Sequence, residues 1–361
     1  MSGAGPLPGR SRQWFGRLGF ASAVFACVAL PVLVAGLGLG EVAAPGEVER
    51  LDAARTTASG SLLADALLAS TSWWFGGDAA VAHGTLVGAR LSQLAALFVL
   101  SALVYTAGVL ARGRLLGVAA CLALACLPPV STGGHVLRAE TWAAVFALLG
   151  LVLLQCLLWR SGQRRRVVLP LVLTCAVAVG LAVATAPTVG TALLVPIVPF
   201  LLAAVQALLR GLRVGQRRSW FALPAHAITA RLWGPGLAAL LAPVAALVLM
   251  VVAVDGQGPP STALGAPLLP VATLARGLVL LLAGFGGAAF LLGAGARFGR
   301  GGRLGPELAL AAYCTTQLLH VQFGRERDPT PAVAALALLS AHGLLTAVAA
   351  AAWFVRRRTG A

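Results

Sequence analysis

The sequence predicts an all-α fold, a polytopic transmembrane helix bundle of about ten spans whose first outer loop carries short interfacial helices. Three observations predict it. Hydrophobic residues make up 59% of the chain and charged residues 11%, with a mean hydropathy of +0.90, whereas soluble domains are about 25% charged. Apolar runs of the roughly 20 residues needed to cross a bilayer recur along the whole chain. The arginines gather in short segments between those runs, as cytoplasmic loops do under the positive-inside rule. The apolar runs leave no room for an independent soluble domain, so residues 1–361 read as one integral membrane domain.

Met1 to Arg17 is basic and rich in Gly and Pro. The run Leu18 to Gly40 follows and is too long for an ordinary signal-peptide core. Ala43-Ala44-Pro45 is a poor cleavage site, because Pro is unfavourable just past a cut, so the first span is expected to stay uncleaved with its N-terminus in the cytoplasm. Further spans read as Leu91 to Ala111, Leu115 to Val130, Thr141 to Leu158, Val167 to Ala186, Val189 to Leu209 and Trp233 to Val254. Ala272 to Ala294, Glu307 to Phe323 and Ala332 to Val355 complete the ten. With this topology every acidic residue except Glu307 falls on an outer segment, and most arginines fall on inner ones. Both termini are then cytoplasmic, in the plasma membrane of a bacterium.

The longest interval that cannot enter a bilayer is the first extracytoplasmic loop, residues 41–90. It holds Glu41, Glu47, Glu49, Asp52, Asp65 and Asp78, six of the chain's 11 acidic residues. Trp73-Trp74 is the kind of pair that settles at a membrane–water interface. The largest inner loop, residues 210–231, is basic and includes Arg-Arg-Ser-Trp-Phe; it is a solvated positive-inside loop or one lying along anionic headgroups.

The formal net charge is +16, and all 27 basic residues are Arg. No basic face with interleaved aromatics appears, which argues against nucleic acid as a partner. The six cysteines all lie in apolar runs, so no disulfide framework is implied. There is no Walker-type loop, no Gly-x-Ser-x-Gly and no His-Glu-x-x-His. Gly284, Gly286 and Gly287 fall mid-span, where small residues let helices approach. His83 and His135 are outer, His226 is inner, and His320 and His342 fall within spans. None of these has metal-ligand spacing, so no metal is assigned and no cofactor is identified.

The outer polar residues carry the candidate chemistry. If Pro45 to Ala58 is a short helix on the membrane, Glu49 and Asp52 share a face at three-residue spacing. A carboxylate held near a low-dielectric surface has its pKa raised toward that of a general base; the plainer reading is that these acids solvate a loop. Arg90, Arg138, Arg276, Arg325 and Arg327 lie outside, at predicted span ends. A guanidinium fork suits phosphate, and a lipid-linked phosphate is the natural candidate there. The rival reading pairs Arg138 with Glu140, and Arg325 or Arg327 with Glu326 and Asp328.

An ordered series of short motifs resembles the GT-C type membrane glycosyltransferases, closest to the protein O-mannosyltransferase and lipid A aminoarabinose transferase branch. The series runs through Trp74-Phe75-Gly76-Gly77, Gly88-Ala89-Arg90-Leu91-Ser92, and Val104-Tyr105 to Ala111-Arg112. It continues through Leu127-Pro128-Pro129, Arg138-Ala139-Glu140, Gly180-Leu181-Ala182 and Pro187-Thr188-Val189. It ends with Gln322-Phe323-Gly324-Arg325 to Pro331-Ala332-Val333, so that it spans most of residues 63–350. The resemblance implies transfer of a sugar from a polyprenyl-phosphate donor to an acceptor on the extracytoplasmic face. It implies a first-loop carboxylate as base or as anchor for a divalent cation, and Arg or Lys residues on the donor phosphate. Carried over, Glu47, Glu49 or Asp52 is the general base; Arg138, Arg325 and Arg327 hold phosphate; Arg90 and Glu140 support them. The sequence departs from the pattern at Gly46-Glu47, where the family has Asp-Glu, at Ala186, where it has Lys, and at Glu140, where it has Asp. No outer C-terminal domain is expected beyond Ala361. Two alternatives follow from these departures and from the spans: a catalytically inactive GT-C-like subunit for lipid binding or assembly, and a transporter, disfavoured because the predicted spans hold almost no ionisable residues.

Overall fold

A computed structural model describes residues 9–37, 82–127, 130, 134, 139–159, 165–186, 192–213, 241, 244, 306–323 and 332–359. The described residues form eight helices and no strand. They are α1 (Gly9–Gly36), α2 (Ala82–Arg112), α3 (Arg114–Cys126), α4 (Ala139–Trp159), α5 (Arg165–Thr185), α6 (Leu194–Arg213), α7 (Pro306–Phe323) and α8 (Val333–Thr359). Within them, Gly88–Arg112, Glu140–Trp159, Val168–Thr185 and Val333–Arg358 are long and apolar enough to cross a membrane; Ala21–Gly36 and Arg114–Cys126 are apolar but shorter. The chain is thus an all-helical membrane protein over its described length. The expected spans Trp233 to Val254 and Ala272 to Ala294 lie, Leu241 and Val244 apart, outside the described residues.

Helix ends depart from the hydropathy boundaries for local reasons. α1 begins at Gly9, well before Leu18, because nothing in Arg10 to Arg17 opposes a helix. α3 stops at Cys126 rather than Val130. Leu127 is already extended, at φ −73° and ψ 129°, the conformation that a following proline such as Pro128 imposes. With 13 residues, α3 is only about 20 Å long, less than the hydrocarbon thickness. α7 opens with Pro306 and Glu307, a proline that needs no helical N–H partner and an acid that favours the positive end of the dipole.

Short connections and interhelical contacts fix the directions of the helices. Gly113 joins α2 to α3 at φ 98° and ψ −178°, backbone space open essentially to Gly alone. The two helices then run back along each other, touching at Gly108 and Gly117 and again at Ser101 and Cys121. α4 and α5 meet where Gly150 faces Cys175 and Val179. Cys314 approaches Ala335 in the α7–α8 pair, while Glu307 and His342 meet a common arginine; equal steps in opposite senses make that pair antiparallel. Gly36 lies beside Leu94, and Gly134 beside Ala35 and Leu97, so the end of α1 and the approach to α4 meet on the middle of α2.

α4 is the central helix, packed against α5, α2, α7 and α6. Leu148, Leu151, Leu154 and Leu157 on it are fully buried, as are Leu100, Leu116 and Leu124 on α2 and α3. Phe25, Leu33, Leu122, Leu173, Leu201 and Val348 are exposed on the bundle's outside, a surface suited to lipid rather than water. Lipid tails are as apolar as these side chains, so association rests on close packing and interhelical polar contacts. A Cβ on Gly117 would stand 2.7 Å from the Tyr105 carbonyl oxygen, and one on Gly108 2.8 Å from the Gly117 Cα.

That contact predicts an ordered set of stabilities. Gly117→Ala and Gly113→Ala should each destabilise the folded protein by about 1–3 kcal/mol, the first by overpacking and the second by backbone strain. Gly36→Ala, whose Cβ would make an ordinary 3.8 Å contact with Leu94, should be neutral or slightly stabilising. Thermal unfolding of the three variants in detergent checks the order; equal melting temperatures would contradict the packing.

Candidate functional site

Six of the residues expected to carry chemistry, Glu47, Glu49, Asp52, Arg138, Arg325 and Arg327, lie outside the described residues, as does Arg276. Arg90 and Glu140 are described. Arg90 sits on α2 and is 1% exposed, the largest fully buried side chain in the described protein. Glu140 is half-buried in the first turn of α4. The Gln155 amide on α4 donates to the Ala107 carbonyl on α2 at 3.3 Å. Gly134, ahead of α4, lies beside Leu97 on α2, so the two helices run the same way, and counting back from that bond brings Arg90 and Glu140 within about one helical turn of each other in height. They therefore occupy one end of the bundle.

A permanently charged guanidinium cannot be buried cheaply; the effective penalty is several kcal/mol per ion unless neighbouring groups compensate it. In a membrane bundle such a residue marks a functional position by default. Around it the end of α2 is polar: Gln93 is 1% exposed and Ser92 is buried, its hydroxyl donating to the Ala89 carbonyl at 2.7 Å. Thr141 on α4 and Thr185 on α5 are buried at the same end of their helices as Glu140 and Ala186.

At the opposite end a second polar group forms, which hydropathy alone does not reveal. Arg112, in the last turn of α2, places its Nε 3.5 Å from Glu307 Oε1 on α7. Its Nη1 lies 3.3 Å from His342 Nδ1 on α8. Arginine only donates, so Nδ1 accepts and a neutral imidazole carries its proton on Nε2. Glu307 is the one acidic residue that the sequence topology puts on the inner side, and Arg112 is its counter-ion. One side chain thus ties three helices.

Between these ends the interior contains polar side chains that sequence reasoning passed over. Gln155 and Gln317 are fully buried, and Ser340 nearly so. The Tyr313 hydroxyl, both amide atoms of Gln317 and the Trp142 indole nitrogen have no hydrogen-bond partner among the described residues, each at a cost of about 1–3 kcal/mol. Tyr313 and Gln317 are four residues apart and share a face of α7. The available signal was the polar content of Pro306–Phe323, in which Tyr313, Thr315, Thr316, Gln317, His320 and Gln322 interrupt an otherwise apolar run. The cysteines are free, and several act as weak donors between helices: Cys175 Sγ to Gly150 O at 3.4 Å, Cys121 Sγ to Ser101 O at 3.5 Å. Among the described residues no group of three or more His, Cys, Asp or Glu stands together as a metal ion would require.

The Arg112 group makes a direct prediction. Arg112→Ala and Glu307→Ala should show a coupling energy of about 0.5–1 kcal/mol in a double-mutant cycle of unfolding in detergent, modest because the arginine side chain is 35% exposed. His342→Ala should couple to Arg112→Ala as well, and strictly additive variants would contradict the cluster. No family model matches the chain, and no curated protein matches it either.

Proposed function

We propose that the chain is a GT-C-like membrane transferase that moves a sugar from a polyprenyl-phosphate donor to an acceptor on the extracytoplasmic face. In this reading it crosses a bacterial plasma membrane ten times, with both termini in the cytoplasm and residues 41–90 outside. The observation that carries the reading is Arg90: a fully buried guanidinium at the bundle end that leads into the acidic first loop. A phosphorylated lipid docking at that end supplies a reason for keeping a cation there. The ordered motif series from Trp74 to Val333 supports the same assignment.

The chemistry is a single displacement. Glu47, Glu49 or Asp52 takes the proton from an acceptor hydroxyl, and the freed oxygen attacks the anomeric carbon. The bond from that carbon to the phosphate oxygen breaks on the opposite face, and its electron pair leaves with the polyprenyl phosphate. Configuration inverts. Arg138, Arg325 and Arg327 bind the phosphate and stabilise the charge it gains, and Arg90 supports them from within the bundle. A fixed cation is worth more in such a water-poor site than in solution.

A second reading has its own observation. Ala186, at the position where the family has Lys, is 5% exposed, its N–H bonded to the Ala182 carbonyl at 3.2 Å. With Gly46 in place of the family's Asp, this favours a chain that binds the lipid phosphate without transferring the sugar.

The test is transfer from a polyprenyl-phosphate sugar in membranes containing the full chain. Replacing the essential carboxylate among Glu47, Glu49 and Asp52 by Ala should lower the rate by about 10²–10⁴, the usual contribution of a general base, and Arg90→Gln should lower it too. Unchanged transfer in all three carboxylate variants would overturn the mechanism. Donor binding without transfer by the wild-type chain would select the second reading.

A further inference from the structure

Tyr313 and Gln317 stand on one face of α7, four residues apart, and both side chains are fully buried. The tyrosine hydroxyl and both polar atoms of the glutamine amide have no hydrogen-bond partner among the described residues. In a bundle surrounded by lipid such groups cannot turn to bulk solvent, so their partner has to lie in the interior. Ordered water is the usual partner of buried polar groups that protein atoms leave unmatched.

The neighbouring helices fix the level of the pair. Arg112 is the last residue of α2 and Glu307 the second of α7, and their side chains meet at 3.5 Å. Because α7 also packs along α2 and α4, it runs back beside them from that contact. At 1.5 Å per residue, Tyr313 lies about 9 Å along α7 from Glu307, and Ala107 about 7.5 Å along α2 from Arg112. The buried Gln155 on α4, whose amide donates to the Ala107 carbonyl at 3.3 Å, is therefore level with Tyr313 to within about one turn. The helices α2, α4 and α7 contact one another pairwise, so polar side chains from two of them and a backbone carbonyl from the third reach one level of the interior.

The chemistry of the pair narrows its ligand. A hydroxyl both donates and accepts, and an amide offers two N–H donors beside one carbonyl acceptor. A cation would meet the amide donors with charge of their own sign, and an anion would meet the carbonyl in the same way. Either would bring a full charge into a low-dielectric interior. A neutral molecule that donates and accepts suits both side chains, and their complete burial leaves water as the one small enough. We propose that Tyr313 and Gln317 form a binding site for ordered water, enclosed where α7 packs on α2 and α4. The water bridges the tyrosine hydroxyl to the glutamine amide. It uses no residue of the transferase reading and is independent of it.

The experiment is radiolytic footprinting of the full-length chain in lipid nanodiscs, equilibrated with water enriched in the heavy oxygen isotope. X-ray pulses split bound water in place, so a buried side chain is hydroxylated where water touches it. Tyr313 should be hydroxylated and carry the heavy isotope, while the fully buried Leu148 and Leu151 on α4 should not. Q317M, which keeps the side-chain length and removes the amide, should lower labelling of Tyr313 about tenfold, the equivalent of roughly 1.4 kcal/mol of lost water binding. Thermal unfolding gives a second readout. Y313F and Q317M should each melt below the wild type, because removing one partner strands the others, and Y313F/Q317M should lose less than the sum of the two. Labelling of Tyr313 no stronger than that of Leu148, or equal in the wild type and Q317M, would overturn the site. Raised melting temperatures in both single variants would overturn it as well, since the two groups would then be unmatched in the native protein.

Discussion

A guanidinium cannot be left in hydrocarbon, and with 27 arginines in an otherwise apolar chain that constraint orders the whole structure. The turn between α2 and α3, the start of α1, the start of α5 and the end of α8 all carry arginine. The Gln155–Ala107 bond and the Gly150–Val179 contact bring the α2–α3 turn and the start of α5 to the same end of the bundle. Helix directions in the described protein are thus the arrangement in which cations meet water or headgroups and apolar turns meet lipid or one another. Among the described residues Arg90 is the exception, buried in protein rather than exposed.

Once the charges are sorted, the bundle is held by proximity. The pair Gly108 and Gly117 brings two backbones into contact, and Gly150 receives Val179 in the same way. Thiols and amides then add weak cross-links, Gln155 to Ala107 and Cys175 to Gly150. None of these is strong alone; interhelical polar contacts in membranes average well under 1 kcal/mol. The Arg112 group differs because one side chain engages both members of the α7–α8 hairpin, locking it onto α2. The opposite end, with Arg90 and Glu140, is where the proposed site is assigned.

Much of the fold is legible in the sequence, and the reasons are physical. Hydropathy finds α4 and α5 within two residues of their ends, because Glu140, Arg160 and Arg165 bracket them with charge. It overruns α3 because apolarity continues through Leu127 and Val130, while the proline pair stops the helix. It cannot find the interior face, since a helix surrounded by lipid and protein is apolar all round and its periodicity carries little contrast. For that reason Gly108 and Gly117 drew no notice, and His342 read only as a residue within a span. Glu307 stood out as the one acid on the wrong side for the topology, and its arginine partner on α2 is a tertiary fact no local pattern contains. The candidate site is legible only as chemistry: carboxylates in one loop and guanidiniums at span ends, with Arg90 and Glu140 at a common end of the bundle.

The central claim is that the acidic first loop and the arginine-rich end of α8 face opposite sides of the membrane. Single cysteines placed at Ser61 and at Thr359, in a chain whose six native cysteines are replaced, test it with a membrane-impermeant maleimide on intact cells. The account predicts labelling at position 61 without permeabilisation, and at position 359 only after it. Labelling of both positions from the same side would contradict the topology and, with it, the placement of the candidate site.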